Sequence, residues 1–262
     1  MASDNGAEQG SDRNDRDYSV RAVDRVCSIL NLLQESIDGV SLIDVAEATD
    51  LPKSSAFRYL WTLETHRYVE RDPETSTYRL GLGFVGMQSR QLEVLRQRAS
   101  PWLQKLRDEF DETINLGVLD SDSVIYLDIT ESRRGVRLAA RRGDRDPLHS
   151  TALGKAVAAE MPDTQVREIL QRSQMPRLTP YTITGIDDYM TELARVRRAG
   201  YAIDNGENEV DGRCVAVAIR GTRLAAALSL SAPASRFPMQ DVDKVAAALT
   251  EAAEHITAPP PS

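Results

Sequence analysis

Between Ser41 and Glu64 the chain reads SLIDVAEATDLPKSSAFRYLWTLE, two helical patterns with only Thr49, Asp50 and Leu51 between them. That spacing constrains the fold more than any other feature, because a connection so short fits the tight turn of a helix-turn-helix. Ser41 with Asp44 three residues on is an N-cap signal, and Leu42, Val45 and Ala46 form a short apolar stripe. In the second pattern, about 100° per residue brings Ala56, Leu60 and Leu63 onto one arc, with Phe57 at its edge. That arc is the buried face. The opposite side carries Ser54, Ser55, Arg58 and Thr62, flanked by Tyr59 and Trp61. Pro52 suits a first turn, where its missing N–H has no partner to lose, and the free N–H groups there favour a phosphate.

The flanks complete the unit. VRAVDRVCSILNLLQE repeats apolar residues at Val23, Val26, Ile29, Leu30 and Leu33, the spacing of a helix packed under the other two. RYVERDPETSTYRLG alternates Tyr68, Glu70, Tyr78 and Leu80 around the turn residues Asp72, Pro73 and Glu74, which predicts a hairpin. Three helices and a hairpin make a winged helix. Its polar helix face suits DNA: the Arg58 guanidinium can engage guanine O6 and N7 together. Ser54 and Ser55 suit phosphates or single hydrogen bonds, and Tyr59 and Thr62 lie beside them. In the wing, Thr75, Ser76, Thr77 and Arg79 can reach phosphates or a minor groove. The alternative for Arg58 is an ion pair with Glu64 on an ordinary surface helix.

Charge argues against nucleic acid. The net charge is −8, and between Tyr18 and Gly83 seven Lys and Arg face ten Asp and Glu. Attraction must then come from placement, with Arg21, Lys53, Arg58, Arg67, Arg71 and Arg79 as the candidate patch beside the helix N-terminus at Pro52.

Downstream, GLGFVGMQSRQLEVLRQRASPWLQKLRDEF sets Phe84, Met87, Leu92 and Leu95 on an apolar stripe, then predicts a break at Ser100 and Pro101 before another helix. TINLGVLD, SVIYLDI, VRLAARR, RCVAVAI and LAAALSLSA read as strands with helices between, which predicts an antiparallel sheet with helices packed on it. Arg133, Arg134, Arg137, Arg141, Arg142 and Arg145 read as the solvated face of a half-exposed strand around Val136, Leu138 and Ala140. Thr151 is an N-cap candidate in LHSTALGKAVAAE.

Residues 20–83, from VRAVDRVCSILNLL through LPKSSAFRYLWTLETHRYVER to YRLGLG, resemble the DNA-binding domain of the IclR family of bacterial transcription regulators. NLGVLDSDSVIYLD, PLHSTALGKAVAA, RAGYAIDNGENEVDGRCVAVAI and LAAALSLSAPASR resemble its effector-binding domain in order and spacing. The likeness runs from Tyr18 to Ile256; many family members have glycine where this chain has Asp50. It implies a mixed α/β (α+β) chain: a winged helix-turn-helix at 18–83, a linker helix at 84–98 and a GAF-like effector domain at 99–257 with an antiparallel sheet and flanking helices. The tails 1–17 and 258–262 have nothing to bury. The implied partners are double-stranded DNA with a pseudo-palindromic operator, a small organic acid, and a second copy of the chain in a homodimer or dimer of dimers. The linker helix would carry a shift from the effector domain to the spacing of the two DNA-reading helices. Carried over position by position, the effector pocket takes Ala152, Leu153, Asp204, Cys214, Ser229 and Ser231, the two serines facing one side of a strand. Repression relieved by ligand is the expectation; activation of a catabolic operon is the alternative.

Other classes find little support. No apolar run approaches the roughly 18 residues of a membrane span, and the polar opening MASDNGAEQGSDRNDRD has no signal-peptide core, so a cytoplasmic protein without a membrane partner is expected. Cys27 and Cys214 lie in apolar segments and read as buried, reduced thiols. His66, His149 and His255 are the only histidines, too few and too scattered for a triad or metal cluster. A P-loop and a dinucleotide fingerprint are missing. No catalytic residue, metal ligand or cofactor is therefore expected; a ligand-binding enzyme with an accessory winged helix is the remote alternative.

Overall fold

The computed structural model describes residues 20–36, 38–84 and 89–257. The expected tails 1–17 and 258–262, and Met87 of the expected stripe, lie outside these residues. The chain divides after Gln88 into two units.

In the first unit, helix α1 (Arg21–Glu35) is followed by β1 (Val40–Ser41), α2 (Leu42–Ala48), α3 (Lys53–Thr65), β2 (Val69–Arg71) and β3 (Thr77–Leu80). The strands form an antiparallel sheet in the order β1-β3-β2. Ile29, Leu33, Val45, Ala56, Leu60, Leu63, Val69 and Tyr78 fill its core. Ser41 caps α2 by accepting the Asp44 N–H at 3.2 Å, while its hydroxyl donates to Asp44 Oδ2 at 2.7 Å. The turn into α3 needs a left-handed residue, and Asp50 supplies it at φ +49°. Two expectations fail on α1. Val23 is 56% exposed, because the buried residues of this helix, Ile29 and Leu33, lie in its second half. Cys27 is also exposed: two residues from Ile29, it lies about 200° round the helix, facing away from the core.

The second unit contains α4 (Arg90–Phe110), β4 (Thr113–Asp120), β5 (Ser123–Thr130), β6 (Arg145–Pro147), α5 (Ala152–Ala159), α6 (Asp163–Ser173), α7 (Ile186–Ala199), β7 (Ala202–Asn205), β8 (Gly212–Ile219), β9 (Ala226–Pro233) and α8 (Val242–Thr257). Its six strands form one antiparallel sheet in the order β6-β5-β4-β9-β8-β7. Ile114, Leu116, Val217 and Leu228 pack with Leu103 and Leu106 of α4 and Leu249 of α8. Val124, Ala216 and Ala227 pack with Leu153 and Val157 of α5 and Leu193 of α7. Helices thus cover both faces. Gly154 lets α5 approach closely, since a Cβ there would collide with the Leu148 carbonyl. Among the described residues no helix is long and apolar enough to cross a membrane.

Two readings are corrected here, and two strands are added. Helix α4 runs unbroken through Ser100 and Pro101 and starts at Arg90, within the second unit. A mid-helix proline costs about 3 kcal/mol, but Leu95, Ala99, Leu103 and Leu106 are buried along this helix, and each large apolar side chain contributes roughly 1.5–3 kcal/mol. Pro101 lies on the exposed side with Gln97, whose unpaired carbonyl can face water. VRLAARR is irregular chain, not a strand. Its arginine-rich neighbourhood is held by surface ion pairs instead: Arg133 to Asp108, Arg134 to Asp111 and Arg137 to Glu131. Strands β6 and β7 were not anticipated; both are short edges, and β7 carries Asp204.

Lys155 of α5 is 0% exposed. Its Nζ lies 2.5 Å from Glu207 Oε1, just after β7, and 3.8 Å from Glu192 Oε1 on α7. Burial pushes the Glu207 carboxyl up while the ammonium draws it back. One cation therefore ties two helices to the β7–β8 connection. Lys155→Met should cost about 3–5 kcal/mol, because it leaves a buried carboxylate unpaired. Urea unfolding checks this, and a loss below about 1 kcal/mol would contradict it.

Candidate DNA-binding face and ligand cavity

Burial of Ala56, Leu60 and Leu63 decides which side of α3 is presented outward. Lys53, Ser54, Arg58, Trp61 and Thr62 are exposed, and Ser55 and Tyr59 are half-buried. The first turn has no acidic residue, and the Lys53 and Ser54 N–H groups take no partner among the described residues. The described residues of this unit contain a single ion pair, Arg79 to Asp72 at 3.1 Å, so Arg58 is not paired with Glu64. The Thr62 hydroxyl donates back to the Arg58 carbonyl at 2.8 Å.

A cleft of about 260 Å³ lies over this face, lined by Ser55, Arg58, Tyr59 and Thr62 of α3 and by Arg25 of α1. Two guanidinium groups and three hydroxyls meet there, and among the described residues no carboxylate lines it. Arg25 was not anticipated. Its signal was available, since it follows the exposed Arg21 by one helical turn.

The wing satisfies most of its own polar groups. Asp72 accepts the N–H groups of Glu74 at 2.8 Å and Thr75 at 3.1 Å, which hold its carboxyl below the usual range and keep it charged against Arg79. Thr75 and Thr77 share a hydroxyl hydrogen bond of 2.8 Å, and Arg71 donates to Ser76 at 3.2 Å. The wing tip thus presents hydroxyls with little free positive charge.

In the second unit the strand register assembles a polar row. Asp204 pairs with Cys214, Cys214 with Ser231, and Ser231 with Thr113, so four adjacent strands contribute one residue each. Asn115 and Ser229 pair in the neighbouring row on the same side. Over the row lies a cavity of about 120 Å³, closed by Leu138, Ala139 and Ala140 and by the chain around Asn208 and Gly212. Within the irregular VRLAARR stretch, Leu138 and Ala140 are half-buried where they line the cavity, while Val136 is exposed. Asp144, Asp146, Asp204 and Glu209 line the cavity, and among the described residues no Lys, Arg or His does.

Burial pushes the Asp204 carboxyl up to about 7, although its Oδ1 accepts N–H groups from Glu207 at 2.7 Å and Asn208 at 3.3 Å. Burial also raises the Cys214 thiol, which stays protonated. The Tyr126 hydroxyl donates to Asp146 Oδ2 at 2.7 Å, and burial raises its pKa too.

Of the six carried-over pocket positions, Asp204, Cys214 and Ser231 come together on the cavity wall. Ser229 lies buried behind it, accepting from Asn115 Nδ2 at 3.1 Å. The side chains of Ala152 and Leu153 pack into the core of α5 and the sheet, leaving only their backbone N–H groups, unbonded among the described residues. Thr113, Asn115, Tyr126 and Asp146 were missed, because only the sheet order brings them to Asp204.

The family description "Bacterial transcriptional regulator IclR C-terminal" matches residues 89–258, and "IclR helix-turn-helix domain" matches residues 22–73. The HTH-type transcriptional regulator XynR of Escherichia coli (strain K12) is 34% identical over 83% of this chain and 88% of its own length. The acetate operon repressor of Salmonella typhimurium (strain LT2) is 30% identical over 91% of this chain and 89% of its own length. The crystal structure of an IclR homolog from Microbacterium hydrocarbonoxydans, complexed with 4-hydroxybenzoate, matches with a TM-score of 0.78 and 28% identity. That match covers 90% of this chain and 97% of that one.

The two cleft arginines should separate on substitution. Arg58→Ala is expected to lose about 1–3 kcal/mol of discrimination between specific and scrambled duplex. Arg25→Ala should weaken both alike and reduce the slope of log K against log salt by about 0.9 per lost phosphate contact. Fluorescence anisotropy across a salt series measures both, and an Arg58→Ala protein with unchanged sequence preference would contradict the assignment.

Proposed function

The chain belongs to the IclR family of bacterial transcriptional regulators, and from that premise we propose that this DNA-binding regulator is a one-component repressor released from its operator by a small organic acid. The observation that carries the reading is α3: a helix locked by three buried residues, with an exposed, unpaired Arg58 beside Arg25 on a carboxylate-free cleft. An acidic chain can bind DNA this way, because phosphate attraction acts at the contact surface and is screened beyond about 10 Å.

Two copies of the chain, as a homodimer or a dimer of dimers, would present two such helices. A pseudo-palindromic operator answers them with half-sites about one helical turn apart. The protein would act in the cytoplasm, where that DNA lies. The organic-acid reading draws support from the 4-hydroxybenzoate held by the Microbacterium homolog and from the unbonded Ala152 and Leu153 N–H groups, a suitable seat for a carboxylate at the start of α5. The cavity of about 120 Å³ limits the ligand to roughly one aromatic ring or a short chain, given that a void of about 150 Å³ holds benzene. A ligand that distinguishes two conformations by about 1–3 kcal/mol changes operator affinity roughly five- to 150-fold.

The test is mobility shift with the full chain and DNA upstream of its own gene, followed by titration with small carboxylic acids chosen by thermal shift. Specific retardation is expected, reversed by an acid within that range. Failure to prefer this DNA, or any genomic fragment, over scrambled duplex would refute the regulator reading.

A further inference from the structure

The cavity in the second unit is rich in acceptors. Asp204 uses Oδ1 for two backbone N–H groups, and its Oδ2 takes no hydrogen bond among the described residues. Asn115, 2% exposed, donates from Nδ2 to Ser229 Oγ at 3.1 Å and Ser231 Oγ at 3.0 Å, and its buried Oδ1 has no partner. Asp146 accepts from Tyr126 through Oδ2 and has Oδ1 to spare.

We infer that the effector is a hydroxylated acid whose neighbouring hydroxyl groups donate to Asp204, Asn115 and Asp146. The inference rests on reading this cavity as the effector seat. Buried acceptors left unpaired are costly, so a ligand that fills the space must bring donors. A hydroxyl is the donor that fits, because it also accepts, and the Ser231 hydroxyl on the same wall, which accepts from Asn115 Nδ2, can donate to it. An ammonium only donates, and would leave the Ser231 hydroxyl unmatched. A plain alkanoate would lay methylene groups against Asn115 Oδ1 and Asp204 Oδ2. The high proton affinity of Asp204 fits a wall without a neutralising cation, and leaves it able to accept in either protonation state through an oxygen lone pair. Repulsion from the carboxylates of Asp144, Asp146 and Glu209 turns the acid group of the ligand away from this wall, so that the hydroxyl-bearing carbons face it.

The experiment is calorimetric titration of the full chain with matched pairs that differ only in hydroxyl groups: glycerate against propanoate, threonate against butanoate, gluconate against hexanoate. In at least one pair the hydroxylated member should bind tenfold or more tightly than its partner. Asp204→Asn keeps an oxygen for the two backbone N–H groups but turns the other acceptor into a donor, and should remove that preference. Asn115→Leu should do the same. Equal or tighter binding of the plain acids, weakened by Asp204→Asn, would overturn the hydroxyl inference while leaving the cavity as effector seat. Absence of binding by every member, in protein that still retards its operator, would overturn both.

Discussion

Three buried side chains, Ala56, Leu60 and Leu63, hold α3 in a single rotational setting, and the DNA-reading surface proposed for this protein depends on that setting. Arg58 lies about 200° round the helix from Ala56, so a half turn of the helix would carry it toward the core. Because one arc is committed to the core, the polar arc has no choice but to face outward. The same logic explains how a chain of net charge −8 serves a polyanion. Positive groups are few, but two of them, Arg25 and Arg58, share one cleft, and the helix N-terminus adds uncommitted N–H groups nearby. Asp72 offsets Arg79, so the wing exposes hydroxyls more than charge.

The second unit follows a different principle. Its cavity is a product of register: pairing Asp204 to Cys214, Cys214 to Ser231 and Ser231 to Thr113 lines up groups more than a hundred residues apart in sequence. The β7–β8 connection that carries Asn208 and Glu209 to the cavity is anchored through Glu207 to the buried Lys155 of α5, which also faces Glu192 of α7. The backbone N–H of Glu207 meets Asp204 as well, so the ion pair and the cavity wall share a residue. Any ligand that changes the hydrogen bonding of Asp204 therefore acts on a connection already tied to two helices.

Periodicity made much of this legible. The arcs of α2 and α3, the Ser41 and Thr151 caps and four long strands follow from side-chain spacing, and the structure carries them. What spacing could not supply was everything set by partners distant in sequence. Pro101 reads as a helix end until α4 is seen packed along its whole length, when burial outweighs one lost hydrogen bond. In VRLAARR, Leu138 and Ala140 alternate like strand residues because they line the cavity, while Val136 is exposed. Cys27 reads as core from its apolar neighbours, although its angle on α1 points it outward. Asn115 and Asp146 carry no local signal at all, being ordinary strand residues until β6, β5, β4 and β9 are laid side by side. Ala152 and Leu153 illustrate the converse, since resemblance alone does not distinguish a backbone contribution from a side chain packed in the core.

Methylation interference on the operator tests the central claim most directly, because methyl groups on guanine N7 occupy the atoms an arginine on α3 would read in the major groove. Guanine methylation should block binding in two clusters about one helical turn apart, and Arg58→Ala protein should become indifferent to it in both. Interference confined to adenine N3 in the minor groove, or a pattern that Arg58→Ala leaves unchanged, would contradict it.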